Sequence, residues 1–375
     1  MAENTITGLV PEIFEALDIV SRELTGMIPS ATLNASANSA QVGQAIRVDV
    51  EPVGNVSNIT PAMVVPDPTG QTSGFTDIII TKSRAAEFGF NGEDQLGLNT
   101  GAGYGSVRAN KIAQAIRAVT NEVEADLCGL QSTFSRAVGT AGTTPFGTAN
   151  DYTDASKALQ VLKDNGSPLQ DNQLVINTNA GVNMLGKQAN VSDAGSDSIL
   201  RQGVLLDVNG MPIRESAQVN TVAAVGTTAN AVTTAGHAVG STSIVLKAGG
   251  SGTILAGDVI TFAGDTNQYV VVTGVGAVSG ATIVIAAPGL RQALPVGDKA
   301  ISIVAASARN MAFNRSAIVL AARAPARPVE GDMASDVIVI TDPRSGLSME
   351  FAMYQGYRKV RYEVALAWGV KNIKP

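Results

Sequence analysis

GDVITFAGDTNQYVVVTG, residues 257–274, places two short β-rich runs around a Gly-Asp-Thr-Asn stretch, the pattern of a hairpin. It interrupts something. Upstream, LLDVNGMPIRES (205–216) reads as part of a mixed α and β unit, and downstream ARNMAFNRSAIVLAARAPARP (308–328) reads as the same unit resuming. Working outward, the all-β character extends from about Val219 to Ala306. STSIVLKAG (241–249), QYVVVTGV (268–275), ATIVIAAPG (281–289) and KAISIVAAS (299–307) join GDVITFAG (257–264) at a spacing of about twelve residues. Gly, Asp, Asn and Pro divide these runs, and helical periodicity is absent. Such spacing predicts a small antiparallel sandwich or barrel, inserted as a self-contained block.

The rest of the chain is organised differently. Leu9, Ile13, Leu17, Val20 and Leu24 recur at helical spacing, with Pro11 near the first turn and Gly26 near the end. A small, polar tether, PSATLNASANSAQVGQA (29–45), follows this amphipathic helix. The period then changes to two: in AIRVDVEPV (45–53), Ile46, Val48 and Val50 alternate with Arg47, Asp49 and Glu51. A return strand is expected in FTDIIITKSRAAEF (75–88), so the intervening GNVSNITPAMVVPDPTGQTSG (54–74) reads as the far end of an extended hairpin. A hairpin of that length is marginal alone and needs another surface.

Residues 106–131 carry the strongest helical signal, with Ile112, Ile116, Val119, Val123, Leu127 and Leu130 on one face. At 1.5 Å per residue this helix is about 40 Å long. A second helix is predicted over DYTDASKALQVLKDNG (151–166), a strand over NQLVINTN (172–179) and a helix around GVNMLGKQAN (181–190). Near the other end Val360, Tyr362, Val364 and Leu366 alternate with Arg361, Glu363 and Ala365, a strand in need of a sheet.

Composition narrows the function. The chain has 375 residues, 45% hydrophobic and 15% charged, enough for sizeable cores. Its net charge of −6 disfavours a dedicated grip on duplex nucleic acid. The N-terminus shows no basic and apolar export pattern, and no apolar run matches a bilayer span, so a cytoplasmic, non-membrane protein is expected. One cysteine, Cys128, permits no internal disulfide.

Catalytic constellations are scarce. His237, the one histidine, excludes an HExxH zinc site, and a pairing with Cys128 would join distant segments. GAGYGS (101–106) does not match a dinucleotide loop and reads as a strand-to-helix corner. Glu122, Glu124 and Asp126 fall at two-residue spacing and cannot all converge on one substrate, so a solvated or intersubunit face is expected. Arg323 with Arg327, and Arg358 with Lys359 and Arg361, form basic clusters that suit either a neighbour's carboxylates or simple solubility.

Three stretches carry a resemblance: GDVITFAG (Gly257 to Gly264), ARNMAFNRSAIVLAARAP (Ala308 to Pro325) and LAWGVKNIKP (Leu366 to Pro375). In this order, behind an amphipathic arm, a hairpin and a long helix, they resemble the major capsid proteins of tailed bacteriophages. The particular likeness is to the short-tailed Salmonella-phage coat-protein family with an inserted domain. The resemblance implies an α+β Hong Kong 97 fold. Carried over, 1–40 is the N-terminal arm, 41–98 the extended E-loop hairpin and 99–169 the peripheral domain with its spine helix. Residues 170–218 and 307–340 form the axial domain, 219–306 the inserted all-β domain, and 341–375 return to the peripheral domain.

The implied function is a non-enzymatic virion protein that assembles with itself into hexamers and pentamers of an icosahedral shell. An encapsulin-like bacterial nanocompartment is the alternative with the same fold. Implied partners are scaffolding and portal proteins and packaged double-stranded DNA, touched weakly and without sequence specificity; no cofactor is implied. Assembly would take place in the host bacterial cytoplasm. Expected intersubunit contacts are Ile13, Leu17 and Val20 on the arm, Ile46, Val48 and Val50 on the hairpin, and Arg323, Arg327, Arg358 and Arg361. The family's lysine–asparagine crosslink is not carried over, since Lys82 lies near the hairpin but nothing in the sequence marks its partner.

Overall fold

The computed structural model describes residues 23–35, 39–50, 54, 56, 58–61, 63, 73–99, 103–148, 151–188, 205–227 and 231–375. The predicted arm helix, with Ile13, Leu17 and Val20, lies outside these except for its end, where 23–26 are non-helical. The first elements are β1 (Thr32–Ala35), β2 (Ala45–Val50), β3 (Gly74–Ile79), β4 (Lys82–Asn91), α1 (Gly92–Asn99) and α2 (Tyr104–Gly129). Then come β5 (Arg136–Ala137), α3 (Thr153–Asp164), β6 (Asn172–Ile176), α4 (Thr178–Lys187), β7 (Ile213–Glu215), β8 (Thr221–Val222) and β9 (Val232–Thr233). The β-rich region holds β10 (Ser243–Val245), β11 (Val259–Phe262), β12 (Gln268–Thr273), β13 (Thr282–Ile285) and β14 (Lys299–Ile303). The chain continues with β15 (Ser307–Ala308), β16 (Met311–Asn314), β17 (Ile318–Arg323), β18 (Ala334–Thr341), β19 (Ser348–Gly356) and β20 (Lys359–Asn372).

A six-stranded sheet in the order β1-β17-β20-β19-β18, with β4 also on β20, forms the body. β4 follows one edge of β20 from Lys359 to Trp368. On the other edge β19 covers Lys359–Ala365 and β17 covers Ala367–Asn372. The long helix α2 packs across this sheet. Its buried stripe of Ile112, Ile116, Val119, Val123 and Leu127 meets Phe351, Tyr362, Val364, Leu366 and Trp368 in the largest core. The helix begins at Tyr104, two residues before the predicted start, behind an N-cap Gly103 whose φ of +88° suits a residue without a Cβ.

A smaller three-stranded sheet, β16-β6-β7, packs on α3 and α4 through Leu174, Ile176, Ala180, Met184 and Ile213. Asn177 caps α4 by accepting the Ala180 N–H at 3.0 Å. The expected range 307–340 is therefore divided: β16 joins this sheet, whereas β17 and β18 join the body. Both β17 and β18 are edge-to-edge partners of late strands, a long-range pairing that local periodicity does not encode. β4, read as hairpin, likewise belongs to the body sheet.

All five predicted β runs of 241–307 are strands, joined in the order β10-β13-β12-β11-β14-β9 around their own core. The GD of the opening motif has a physical reason. Gly257 sits at φ +89°, and the fully buried Asp258 carboxylate accepts N–H groups from Val225 (2.8 Å), Gly226 (3.0 Å) and Leu255 (2.8 Å). That carboxylate ties the start of the block to its middle. The block is not wholly self-contained, because β5, from the segment after α2, pairs antiparallel with β12.

Candidate assembly interface

The hairpin β2–β3 pairs antiparallel from Ala45↔Ile79 to Val50↔Gly74. Alternation puts Ile46, Val48 and Val50 on one face with Ile78 and Thr76. Ile46 and Val48 pack on the chain's own cluster of Ala40, Ile78, Ile80, Val319, Ala321 and Ala367. The root is clamped further: Lys371 Nζ donates to Thr76 Oγ1 at 2.8 Å and to Asp77 O at 2.9 Å. At Gly369 the approach is so close that a Cβ would lie 2.1 Å from Ile79 O.

Ile46 and Val48 are thus part of the hairpin's attachment to its own body. Half-buried alternation is the same in sequence whether the covering surface is intramolecular or intermolecular. Val50, farther from the root, is half-buried. The opposite face, read as the polar one, carries the half-exposed Phe75 and Ile79, with Arg47 stacked 3.7 Å above the Phe75 ring. Beyond the strands Val56, Ile59 and Met63 are fully exposed, at 99%, 100% and 106%.

The four arginines are engaged mainly within the chain. Arg323 is buried and donates to Asn34 O and to Asn34 Oδ1, the latter at 2.7 Å, which binds β1 to β17. Arg327 reaches Glu350 at 2.8 Å and Asp332 at 2.8 Å. Arg361 pairs with Glu87 and, at 3.5 Å, with Glu363. Arg358 and Arg361 are both exposed, Arg358 at φ +55° in the β19–β20 turn. Arg323, with its fork already filled by Asn34, is engaged within its own chain. The cause is a β1–β17 parallel pairing between segments remote in sequence.

The carboxylates of α2 also depart from the expected solvated face. Glu124 is fully buried and accepts the backbone N–H of Gly26 and Met27 at 2.7 Å and of Ile28 at 2.9 Å. One and two turns earlier, Asn121 and Arg117 hold Glu23, whose carboxyl their hydrogen bonds draw down to about 2. α2 therefore clips the segment that leads from the N-terminal arm. Glu122 and Asp126, four residues apart, meet at Lys82, with Nζ distances of 3.2 and 2.8 Å. The Asp126 hydrogen bond raises the Lys82 pKa, so this amine stays protonated and is a poor nucleophile.

Nothing catalytic gathers at the two residues considered for it. Burial, then the Glu124 charge, push the Cys128 thiol up to about 12. His237 sits in the inserted block, its Nε2 3.2 Å from Thr233 Oγ1, with its pKa lowered by burial. Among the described residues no cluster of His, Cys, Asp and Glu could hold a metal ion, and no helix is long and apolar enough to cross a membrane.

No family model and no curated protein sequence matches the chain. Solved structures do. A chain of the cyanophage A-1(L) capsid asymmetric unit aligns over 95% of this chain and 91% of its own, at 10% identity and a TM-score of 0.50. The fold is that of a phage capsid chain. A chain of Mycobacterium phage Che8 also aligns, over 96% and 88% of the two chains (15% identity, TM-score 0.42). So does one of a virus-like particle from Pyrococcus furiosus, over 97% and 93% (8% identity, TM-score 0.40). The capsid fold accounts for the mixed architecture: a body sheet crossed by one long helix, a projecting hairpin and a smaller sheet beside it.

Proposed function

We propose that the chain is a major capsid protein of a tailed bacteriophage, assembling with itself into hexamers and pentamers of an icosahedral shell around double-stranded DNA. The reading rests above all on the whole-chain likeness to the A-1(L) capsid chain. The geometry suits it. Val56, Ile59 and Met63 lie beyond the paired strands of β2–β3 with no cover from the described residues, and apolar surface gains about 25 cal/mol for each Å² removed from water. A modest gain per contact suffices where closed symmetry repeats it. The role is structural, without enzymatic activity, and the shell forms in the host cytoplasm with scaffolding and portal proteins. The net charge of −6 suits a wall past which DNA slides.

Electron microscopy of the purified protein tests this directly. Closed shells with fivefold and sixfold clusters are the expected result. A monodisperse monomer at high concentration overturns the shell role, and particles that hold protein cargo but never nucleic acid overturn the DNA role.

A further inference from the structure

Arg214, on β7, and Arg315, just after β16, reach for one carbonyl. Arg315 Nη2 donates to Pro29 O at 2.7 Å, and Arg214 Nη1 lies 3.5 Å from the same oxygen. Arg214 Nη1 donates as well to Ser30 Oγ at 3.0 Å and Gln173 Oε1 at 2.6 Å. Every one of these acceptors is neutral. Among the described residues Arg214 has no carboxylate in ion-pair range, and Arg315 has only Asp171, at 3.9 Å. Arg315 Nε is buried without a hydrogen-bond partner, although 39% of its side chain is exposed.

Two guanidinium groups converging on neutral oxygens repel each other, an effect on Arg214 that Asp207 and Asp171 each oppose more weakly. Burial and then the charge of Arg315 lower the Arg214 pKa, in keeping with that conflict. Leaving the Arg315 Nε donor buried and unpaired costs stability, and the exposed part of the Arg315 side chain is the part a partner can reach. The planar fork of arginine fits a two-oxygen anion better than any other side chain.

We propose that Arg214 and Arg315 form an oxyanion site, filled in the assembled shell by a carboxylate of a second copy of this chain. With 32 acidic against 26 basic residues, neighbouring copies bring carboxylates in excess. The same balance disfavours a DNA phosphate. The site itself stands on the arginine geometry, while its occupant rests on the shell reading.

The test follows the thermal midpoint of unassembled subunits against sulfate at constant ionic strength. Sulfate stabilises most proteins by exclusion from their surface, with a gradual slope that does not saturate. A bound ion adds a saturating rise. Wild type is expected to show both components, Arg315→Gln and Arg214→Gln only the gradual slope, and Arg315→Lys a weakened saturating rise. Identical curves for wild type and Arg315→Gln overturn the site.

The occupant is read on DNA-free shells, where the saturating rise should vanish because a neighbour already fills the site. A rise that persists in DNA-free shells and disappears in DNA-filled ones assigns the occupant to phosphate and overturns the second-copy assignment. Subunits that bind sulfate but never form shells keep the site and remove the shell reading.

Discussion

Glu124 accepts the backbone N–H of Met27 at 2.7 Å, and both residues are fully buried. The carboxylate also takes the N–H groups of Gly26 and Ile28, so one side chain satisfies three donors of a segment that has no regular structure before Met27. Glu124→Gln keeps the shape, loses one acceptor oxygen and points an amide at N–H donors. It should destabilise the subunit by about 2 to 4 kcal/mol, read from denaturant unfolding. An unchanged midpoint would show that this clip contributes nothing.

Glu23 gives the same region an acid-sensitive component. Its folded pKa, about 2, lies below the usual 4.5, so its pairing with Arg117 stabilises fully above pH 4.5 and fades as pH falls toward 2. Because the pair is partly exposed, the amplitude is about 1 kcal/mol at most. Wild type and Glu23→Gln should therefore differ in stability at pH 6 and converge near pH 2.5. Curves that stay parallel across that range would sink the assignment.

Cys128, buried with its thiol pushed up to about 12, should resist a thiol reagent at pH 8 in the native protein. Its labelling rate should follow unfolding. Rapid modification without loss of the native signal would contradict the packed position against Ser216.

Gly369→Ala tests the root of the hairpin. A Cβ there meets the Ile79 backbone at 2.1 Å, and backbone cannot swing aside as a flexible side chain can. The expected cost is about 1 to 3 kcal/mol, together with altered exchange of the Ile80 and Thr81 amides, the latter bonded to Trp368 O. Native-like exchange at both amides would remove the steric argument.

Replacing Ile59 and Met63 by Asp leaves the subunit's own cores untouched, because both side chains are fully exposed. Subunit stability should change by about 0.5 kcal/mol or less. Shell yield by sedimentation should fall sharply. Normal yields would exclude these residues from the contacts that close the shell.

Elements governed by local pattern were legible before any coordinates. The α2 stripe from Ile112 to Leu127, the five strands of the inserted block and the alternation of β2 each follow from a period of 3.6 or 2. What escaped was set by partners remote in sequence. Nothing in the α2 sequence distinguishes buried Glu124 from half-exposed Glu122, because the three N–H groups that compensate its charge belong to residues 26–28. Arg323 reads as surface charge until β1 is laid parallel beside β17. Phe75 and Ile79 escaped for another reason: their face looked polar by alternation with Arg47 and Asp77, and its apolar members emerge only in the paired register.

β20 lies between β4 on one side and β17 and β19 on the other, yet follows all of them along the chain. During synthesis those earlier strands must wait, each with an edge unmatched, until their common neighbour leaves the ribosome. A nascent chain is then at its stickiest until β20 emerges, and chains terminated before that strand are predisposed to aggregate. A stall in translation between β19 and β20 would consequently be more damaging than uniformly slow translation.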